Sequence, residues 1–428
     1  MDPEITRRQV EAANAAALKS MLAVQPAWVD VTPLGELFPG LPPMTLTHAG
    51  PPITWGRMSG AQRGAVIAAL LYEEWADDPA AASQMAQDSR INLVPNHDLG
   101  GVGPMAGVLS PSMHVFVVQD RVSGRRAYSS IEYDSLFGCW DERAMAELRQ
   151  WNTCFYPALR RALGPLGEVD LIQLMAQALM MGDELHSRQT ASSALLLRAL
   201  ASSITSENPQ PTAIATLNEL AGNELTFLPL AMAAAKLIAS AADGVPLSTI
   251  VTAMSRNGTE FGIRTSGTGP TWFIAPAPKI ESVYFPGYRQ EDAGLDMGDS
   301  AITETVGLGA FAMAAAPGIA GLVGKTHAEL VALSAEMSQI TSGRNPALAV
   351  PQWDLAGVLL GIDLRRVVQT GVLPMIDTAT AHHDPGHRII GAGVTRAPAA
   401  CFTEALTTWF TMNLGSEPAE LGQHERVS

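Results

Sequence analysis

Seven consecutive residues, Asp183-Glu184-Leu185-His186-Ser187-Arg188-Gln189, carry two carboxyls, an imidazole, a hydroxyl, a guanidinium and an amide, with one apolar side chain among them. They lie between two Met/Leu/Ala-rich stretches, Leu171–Leu179 and Ser192–Leu197. Polar groups in such surroundings must find partners or cost stability. Read as the middle of one apolar helix, the spacing puts Asp183 with His186, and Glu184 with Arg188, each pair on one helix face. A carboxylate beside an imidazole orients the ring and raises its basicity, which makes an acid/base pair. Asp183, Glu184 and His186 are therefore the candidate catalytic residues. The competing reading is a salt bridge plus a hydrogen-bonded structural histidine.

Six other segments carry usable groups. Arg256-Asn257-Gly258 and Arg264 bracket a turn signal between two apolar runs, so they belong to a loop or hairpin tip. Planar guanidinium groups suit carboxylate or phosphate, while the plain alternative is a surface turn with solvated arginines. Asp299 and Ser300 precede an apolar stretch, where either caps a helix or the backbone there meets an anion. His48 and Asn96 stand on Gly/Pro-rich loops, and Arg365 follows Gly361-Ile362-Asp363-Leu364. His48, Asn96, Arg188, Arg256, Asn257, Arg264, Asp299, Ser300 and Arg365 form the candidate substrate-binding set. His382, His383 and His387 make the densest histidine cluster, but Pro385-Gly386 breaks any helix between them. No cofactor is expected and the metal requirement is unknown, with a metal at those three histidines the alternative. Gly307-Leu308-Gly309-Ala310-Phe311-Ala312 matches a G-x-G-x-x-A pattern but lacks a surrounding βαβ unit. No G-x-S-x-G elbow and no nucleophilic cysteine context is present.

The elements that must position these groups follow from the hydrophobic pattern. Helices are expected at 7–25, 63–75, 328–341 and 400–412, and strands at 91–95, 113–118, 128–133, 261–265, 272–274 and 283–285. Between 141 and 242 β-branched runs vanish and helical periods dominate. The expected class is α+β and multi-domain, with an N-terminal α/β region (1–140), a helical region (141–245) and a C-terminal α/β region (246–428). The run 307–324 reads as a buried helix–turn broken by Pro317, and 227–242 as a core stretch that carries Lys236, so neither reads as a membrane span. The tail from Gly415 is polar and reads as frayed. A net charge of −15 argues against nucleic acid as a partner. Only 16% of the 428 residues are charged, which points to surface covered in a homo-oligomer. The charged N-terminus lacks an apolar signal core, and the three cysteines form no C-x-x-C pair. Both features fit the cytoplasm.

Taken in order, the segments 48–52, 103–107, 181–188, 252–258, 297–305 and 361–368 resemble the YlbE/AllG family, and the likeness runs from about residue 8 to 410. Gln189 stands where the family places Asn after the motif arginine. The resemblance implies a multi-domain α+β subunit of oxamate carbamoyltransferase that works with an FdrA-like chain and a third subunit. The implied reaction moves a carbamoyl group between oxalurate and phosphate, giving oxamate and carbamoyl phosphate in allantoin (purine) catabolism. The Ser-Thr-Arg-Thr and His-Pro-x-Gln signatures of ordinary transcarbamoylases are absent, so such chemistry would run on an unrelated scaffold. Both substrates are small anions, hence the interest in Arg188, Arg256, Arg264 and Arg365. The glycine-rich loops 100–107 and 298–300 would supply N–H groups to an oxyanion, and His186 would move the proton on the departing nitrogen. Two other readings stay open: a self-sufficient amidohydrolase acting on a ureido or cyclic amide, and a non-catalytic scaffold subunit.

Overall fold

The computed structural model describes residues 3–414. The fold is α+β, with several small sheets and helices packed between them. The polar tail from Gly415 lies outside the described residues. No helix among the described residues is long and apolar enough to cross a membrane.

The first sheet is antiparallel, in the order Arg126–Ser129, His114–Asp120, Pro26–Pro33, Val169–Asp170. Val115, Phe116, Val117 and Val118 are all buried, so both faces of that strand are covered. One cover is the helix Leu228–Ser240, every residue of which is buried. An all-round apolar helix is stable only inside a protein. Its Leu/Ala/Met sequence therefore dictates its place, between the first sheet and the strand Val251–Asn257. A two-stranded parallel sheet, Thr45–His48 with Asn92–Pro95, lies beside it in sequence.

The second antiparallel sheet runs Met297–Gly298, Val251–Asn257, Glu260–Thr265, Phe273–Pro276. Asn257 and Gly258 form the hairpin turn that the Asn-Gly signal predicts, with Gly258 at φ +77°. A third sheet pairs Glu281–Tyr284 with Ile389–Arg396 and then Met375–Ala381. The ribbon Thr341–Ala349 with Gly357–Ile362 completes the strands. The sequence pattern misses the strands at 341–349, 375–381 and 389–396, which are interrupted by Gly, Ala and Thr, and the strand 357–362, a short apolar run buried throughout that shows no alternation.

Two expectations change. The helix Leu171–Met180 stops before the polar run, and the next helix begins at Thr190. Residues 181–189 are a loop between two helices, so the three- and four-residue spacings do not place Asp183 with His186 or Glu184 with Arg188 on a helix face. The run 307–324 is likewise not one helix but a string of single 3₁₀ turns at 309–311, 313–315 and 317–319. Its glycines explain why. A Cβ on Gly307 would lie 1.6 Å from the Leu359 carbonyl oxygen, and one on Gly309 would lie 2.1 Å from Glu304 Oε1. The G-x-G spacing thus serves close packing, not a dinucleotide.

Candidate active site

The loop 181–189 is held from within by its own carboxylates. Asp183 accepts hydrogen bonds from the Ala191 N–H (3.1 Å), the Ser192 N–H (2.7 Å) and the Ser192 hydroxyl (2.9 Å). It caps the helix Thr190–Glu207 from a distance, since Gln189 gives that helix no side-chain cap. Glu184 accepts from the N–H groups of Ser187 (2.6 Å) and Arg188 (2.8 Å). Between Glu184 and His186 the backbone of Leu185 is left-handed, at φ +71°. A bulky residue there costs about 1–3 kcal/mol, which full burial of the Leu185 side chain offsets. The result aims His186 away from its sequence neighbours.

His186 meets two carboxylates that come from distant elements. Its Nδ1 lies 2.7 Å from Glu304 Oε1, on the short helix Ile302–Thr305. The same nitrogen lies 3.2 Å from Asp377 Oδ1, on the strand Met375–Ala381. All three side chains are almost wholly buried. Burial alone would lower the histidine's pKa, but Glu304 and Asp377 outweigh it and hold the ring protonated to about pH 10. Burial raises Glu304 to about 7 against the pull of His186. Glu184 is raised well above the usual carboxylate range by burial and by Asp377. Asp377 is pushed the other way: although burial opposes ionisation, the imidazolium holds it well below the usual range.

Of this cluster, His186 reaches the wall of a cavity of about 260 Å³, with Glu304 and Asp377 behind it. With Nδ1 committed to carboxylates, Nε2 is the ring nitrogen left for the cavity. Around it stand Glu132, Ser187, Arg188, Gln189, Ser300 and Thr378, with Met105, Leu225, Leu228 and Ile319 among the apolar side chains. Arg188 donates from Nε to the Gly182 carbonyl (3.1 Å), while its two Nη groups make no hydrogen bond among the described residues. A Cβ on Gly318 would come 3.1 Å from that guanidinium, so a glycine there leaves it room. Glu132 is half-buried in the same wall, and burial lifts its pKa from 4.5 to about 7. A small anion with a proton to exchange suits such a space.

The rest of the candidate set is divided. Ser300 lines the cavity. Arg256 does not, nor is it solvated: it is fully buried, paired with Asp296 at 2.7 and 3.0 Å, and bonded to the Gly298 carbonyl, Ser300 Oγ and Thr378 Oγ1. It braces the cavity wall from behind. Asn257 is spent on the hairpin turn, accepting from Thr259 and Glu260 N–H. Arg264 pairs with Asp98 and lies 4.2 Å over the Trp272 ring. Arg365 chelates Asp363, away from the cavity. His48 and Asn96 belong to a second buried network around Asp299. Asp299 caps no helix. It accepts from Gly50 N–H (2.9 Å), Gly103 N–H (2.8 Å), Asn96 Nδ2 (3.1 Å) and the Ser255 hydroxyl. The Gly103 N–H is therefore not free for an oxyanion. His48 holds the Ala49 carbonyl at 2.8 Å, and burial lowers its pKa to about 4.

The histidine trio is also not assembled as three ligands. His382 and His387 stack at 3.8 Å and His382 and His383 at 4.6 Å. His382 Nδ1 already accepts from the Asp384 N–H. The group whose ligand atoms come together there is His382, His383 and Asp384, two of them exposed. Sequence reasoning missed Glu304 and Asp377. Glu304 sat inside a segment that was singled out, but attention fell on Asp299. Asp377 is a lone acid in Met375-Ile376-Asp377-Thr378-Ala379, and an acid in so apolar a run was the available signal.

Fold and site together define an α+β protein with a buried imidazole–carboxylate cluster opening on a small-molecule cavity. Residues 91–300 match the family model for oxamate carbamoyltransferase subunit AllG. The chain is 43% identical to oxamate carbamoyltransferase subunit AllG of Escherichia coli K12 over 405 residues, which cover 93% of this chain and 97% of that one. It is 40% identical to the uncharacterized protein YahG of the same strain, over 94% of this chain and 86% of YahG. A crystal structure of a conserved protein of unknown function from Enterococcus faecalis V583 superposes with a TM-score of 0.93 at 40% identity, covering 95% of this chain and 99% of that one. The chain belongs to the AllG family.

Proposed function

We propose that the chain is the AllG-type subunit of a cytoplasmic carbamoyltransferase, and that the cavity beside His186 and Arg188 holds the carbamoyl donor. The observation that carries the reaction class is the near full-length kinship with a named oxamate carbamoyltransferase subunit. What supports the location is that His186, Arg188, Ser300 and Glu132 meet at one cavity. The reaction is the transfer between oxalurate and phosphate, in allantoin catabolism. A phosphate oxygen attacks the ureido carbonyl carbon, the carbon–nitrogen bond to the oxamate half breaks, and the phosphate proton ends on that nitrogen. Arg188 holds the substrate carboxylate through its Nη groups. The protonated His186 donates from Nε2 to the developing oxyanion. Glu132 relays that proton, giving its own to the leaving nitrogen and taking up the one the phosphate loses, aided by a pKa close to neutrality. An FdrA-like chain and a third subunit complete the enzyme.

The test is reconstitution with those two chains from the same gene cluster, measuring carbamoyl phosphate formed from oxalurate and phosphate. The reading expects turnover by the assembly and not by this chain alone. Turnover by the isolated chain with water as acceptor would instead make it an amidohydrolase. Full activity of an assembly carrying His186→Ala would make the chain a scaffold.

A further inference from the structure

We propose that His186, Glu304 and Asp377 bind one divalent transition-metal cation, Mn²⁺ or Zn²⁺, in the wall of the cavity. The ligand atoms of the three residues all lie within 4.8 Å of one another, and all three residues are buried. Ion–ligand bonds of about 2.0–2.2 Å set neighbouring ligands of a tetrahedral ion about 3.3–3.6 Å apart, so Nδ1, which lies 2.7 Å from Glu304 Oε1 and 3.2 Å from Asp377 Oδ1, needs only small outward shifts to admit the ion. The three come from a loop, a short helix and a strand far apart in sequence. That convergence is a property of the fold and not of one turn.

The second observation is Asp377 itself. Its side chain is fully buried, yet no backbone N–H or hydroxyl among the described residues donates to either carboxylate oxygen, and its close neighbours are His186 Nδ1 at 3.2 Å and the carboxyls of Glu304 and Glu184. His186 Nδ1 has one proton at most, and Glu304 stands closer to it. Glu184, another buried carboxyl, neighbours the same group. Glu184 and Glu304 have backbone and hydroxyl donors of their own, whereas Asp377 has only the shared imidazole, and neither the Arg256 nor the Arg188 guanidinium serves it: the first is paired with Asp296, the second bonds Gly182. A dry carboxylate that has only a share in one imidazolium is under-compensated, and a cation supplies the missing charge. The space is also kept clear: a Cβ on Gly309 would lie 2.1 Å from Glu304 Oε1 and 2.9 Å from Asp377 Oδ1.

The donor set selects the ion. Carboxylates favour Mg²⁺, Ca²⁺ and Mn²⁺, and imidazole favours Zn²⁺, Ni²⁺ and Cu²⁺, so a mixed set of two oxygens and one nitrogen suits Mn²⁺ or Zn²⁺. Three protein ligands leave coordination positions open, as catalytic sites require, and His186 and Thr378, the residue after Asp377, both face the cavity. An ion on Nδ1 keeps the proton on Nε2, so the ring still donates into the cavity. The inference rests on this geometry and not on the carbamoyl-transfer reading. Binding without transfer leaves the metal site standing, and transfer by metal-free protein leaves the transfer reading standing.

The experiment uses the full chain stripped by chelator, titrated with Mn²⁺ alone by loss of the free-ion electron paramagnetic resonance signal and with Zn²⁺ alone by calorimetry. One equivalent is expected to bind, with a rise in Tm. Asp377→Asn and Glu304→Gln weaken binding by at least about 100-fold, while a His382→Ala, His383→Ala double variant binds as the parent does. Should a variant fail to fold, the parent with Co²⁺ decides: a visible-band spectrum of low-symmetry coordination supports the site. Absence of stoichiometric binding of either ion to the parent at about 1 mM overturns it. So does binding that persists in the Asp377 variant and disappears in the histidine pair.

Discussion

Asp299 and Asp377 are equally buried aspartates placed in the same half of the chain, and their surroundings are opposite. Asp299 receives four donors from four separate segments, two of them backbone N–H groups. Asp377 receives no backbone or hydroxyl donor, shares the His186 imidazole with Glu304, and has two other carboxyls beside it. A saturated buried carboxylate ties loops together, and its value is structural. An unsaturated one holds free energy that a proton, a cation or a substrate can release, which is how functional sites differ from well-made cores. Asn96 is thus tied into the network around Asp299, whereas the chemistry is proposed for His186.

Substitutions that exchange the two roles would break this contrast. The largest expected effect is on turnover: His186→Ala in the assembled enzyme lowers kcat by about 10²- to 10⁴-fold, measured by carbamoyl phosphate release, with folding intact. Next comes stability. Asp299→Ala strands four donors and should cost about 3–5 kcal/mol in urea denaturation, whereas Asp377→Asn, at a carboxylate that only shares the His186 imidazolium with Glu304, should cost the metal-free chain less, about 1–2 kcal/mol. Equal losses from the two would falsify the distinction. Arg188→Ala should raise KM for the anionic donor by about 10- to 100-fold, the worth of a charge-assisted hydrogen bond or two. Arg365→Ala, at a guanidinium that chelates its own neighbour Asp363, should leave KM unmoved.

The smallest effect is a change of slope. Burial lifts Glu132 from its ordinary 4.5 to about 7, so the folded chain keeps this proton to higher pH than the unfolded chain does. Its contribution to stability is present below pH 4.5 and is lost as pH rises through 7. Turnover that needs the acid form falls over the same upper limb. Glu132→Gln should flatten both the stability decline between those values and the limb of kcat/KM with its midpoint near 7.

Much of the framework was legible. The Leu/Ala/Met helix at 228–240, the Asn-Gly hairpin and the β-branched strand at 114–120 follow from local pattern, and the structure holds all three. His186 was legible as well, because a polar run in apolar surroundings requires partners. Its partners were not. Asp183 and Glu184 stand next to it in sequence, and yet they spend their oxygens on backbone N–H groups of their own loop. The four arginines looked alike as anion ligands; burial and pairing separate them, leaving only Arg188 on the cavity.

Composition and order of residues thus determined that this chain would form a mixed fold with a buried helix at its centre, and that residues 183–189 would need compensation. Hydrophobic period and turn chemistry act over a few residues, which is the range that a sequence displays. The choice of Glu304 and Asp377 as companions for His186, and of Asp299 as a brace, was made by tertiary packing. Groups more than a hundred residues apart meet only when separate elements are docked, and no local rule encodes which of several buried acids will arrive with its donors and which without.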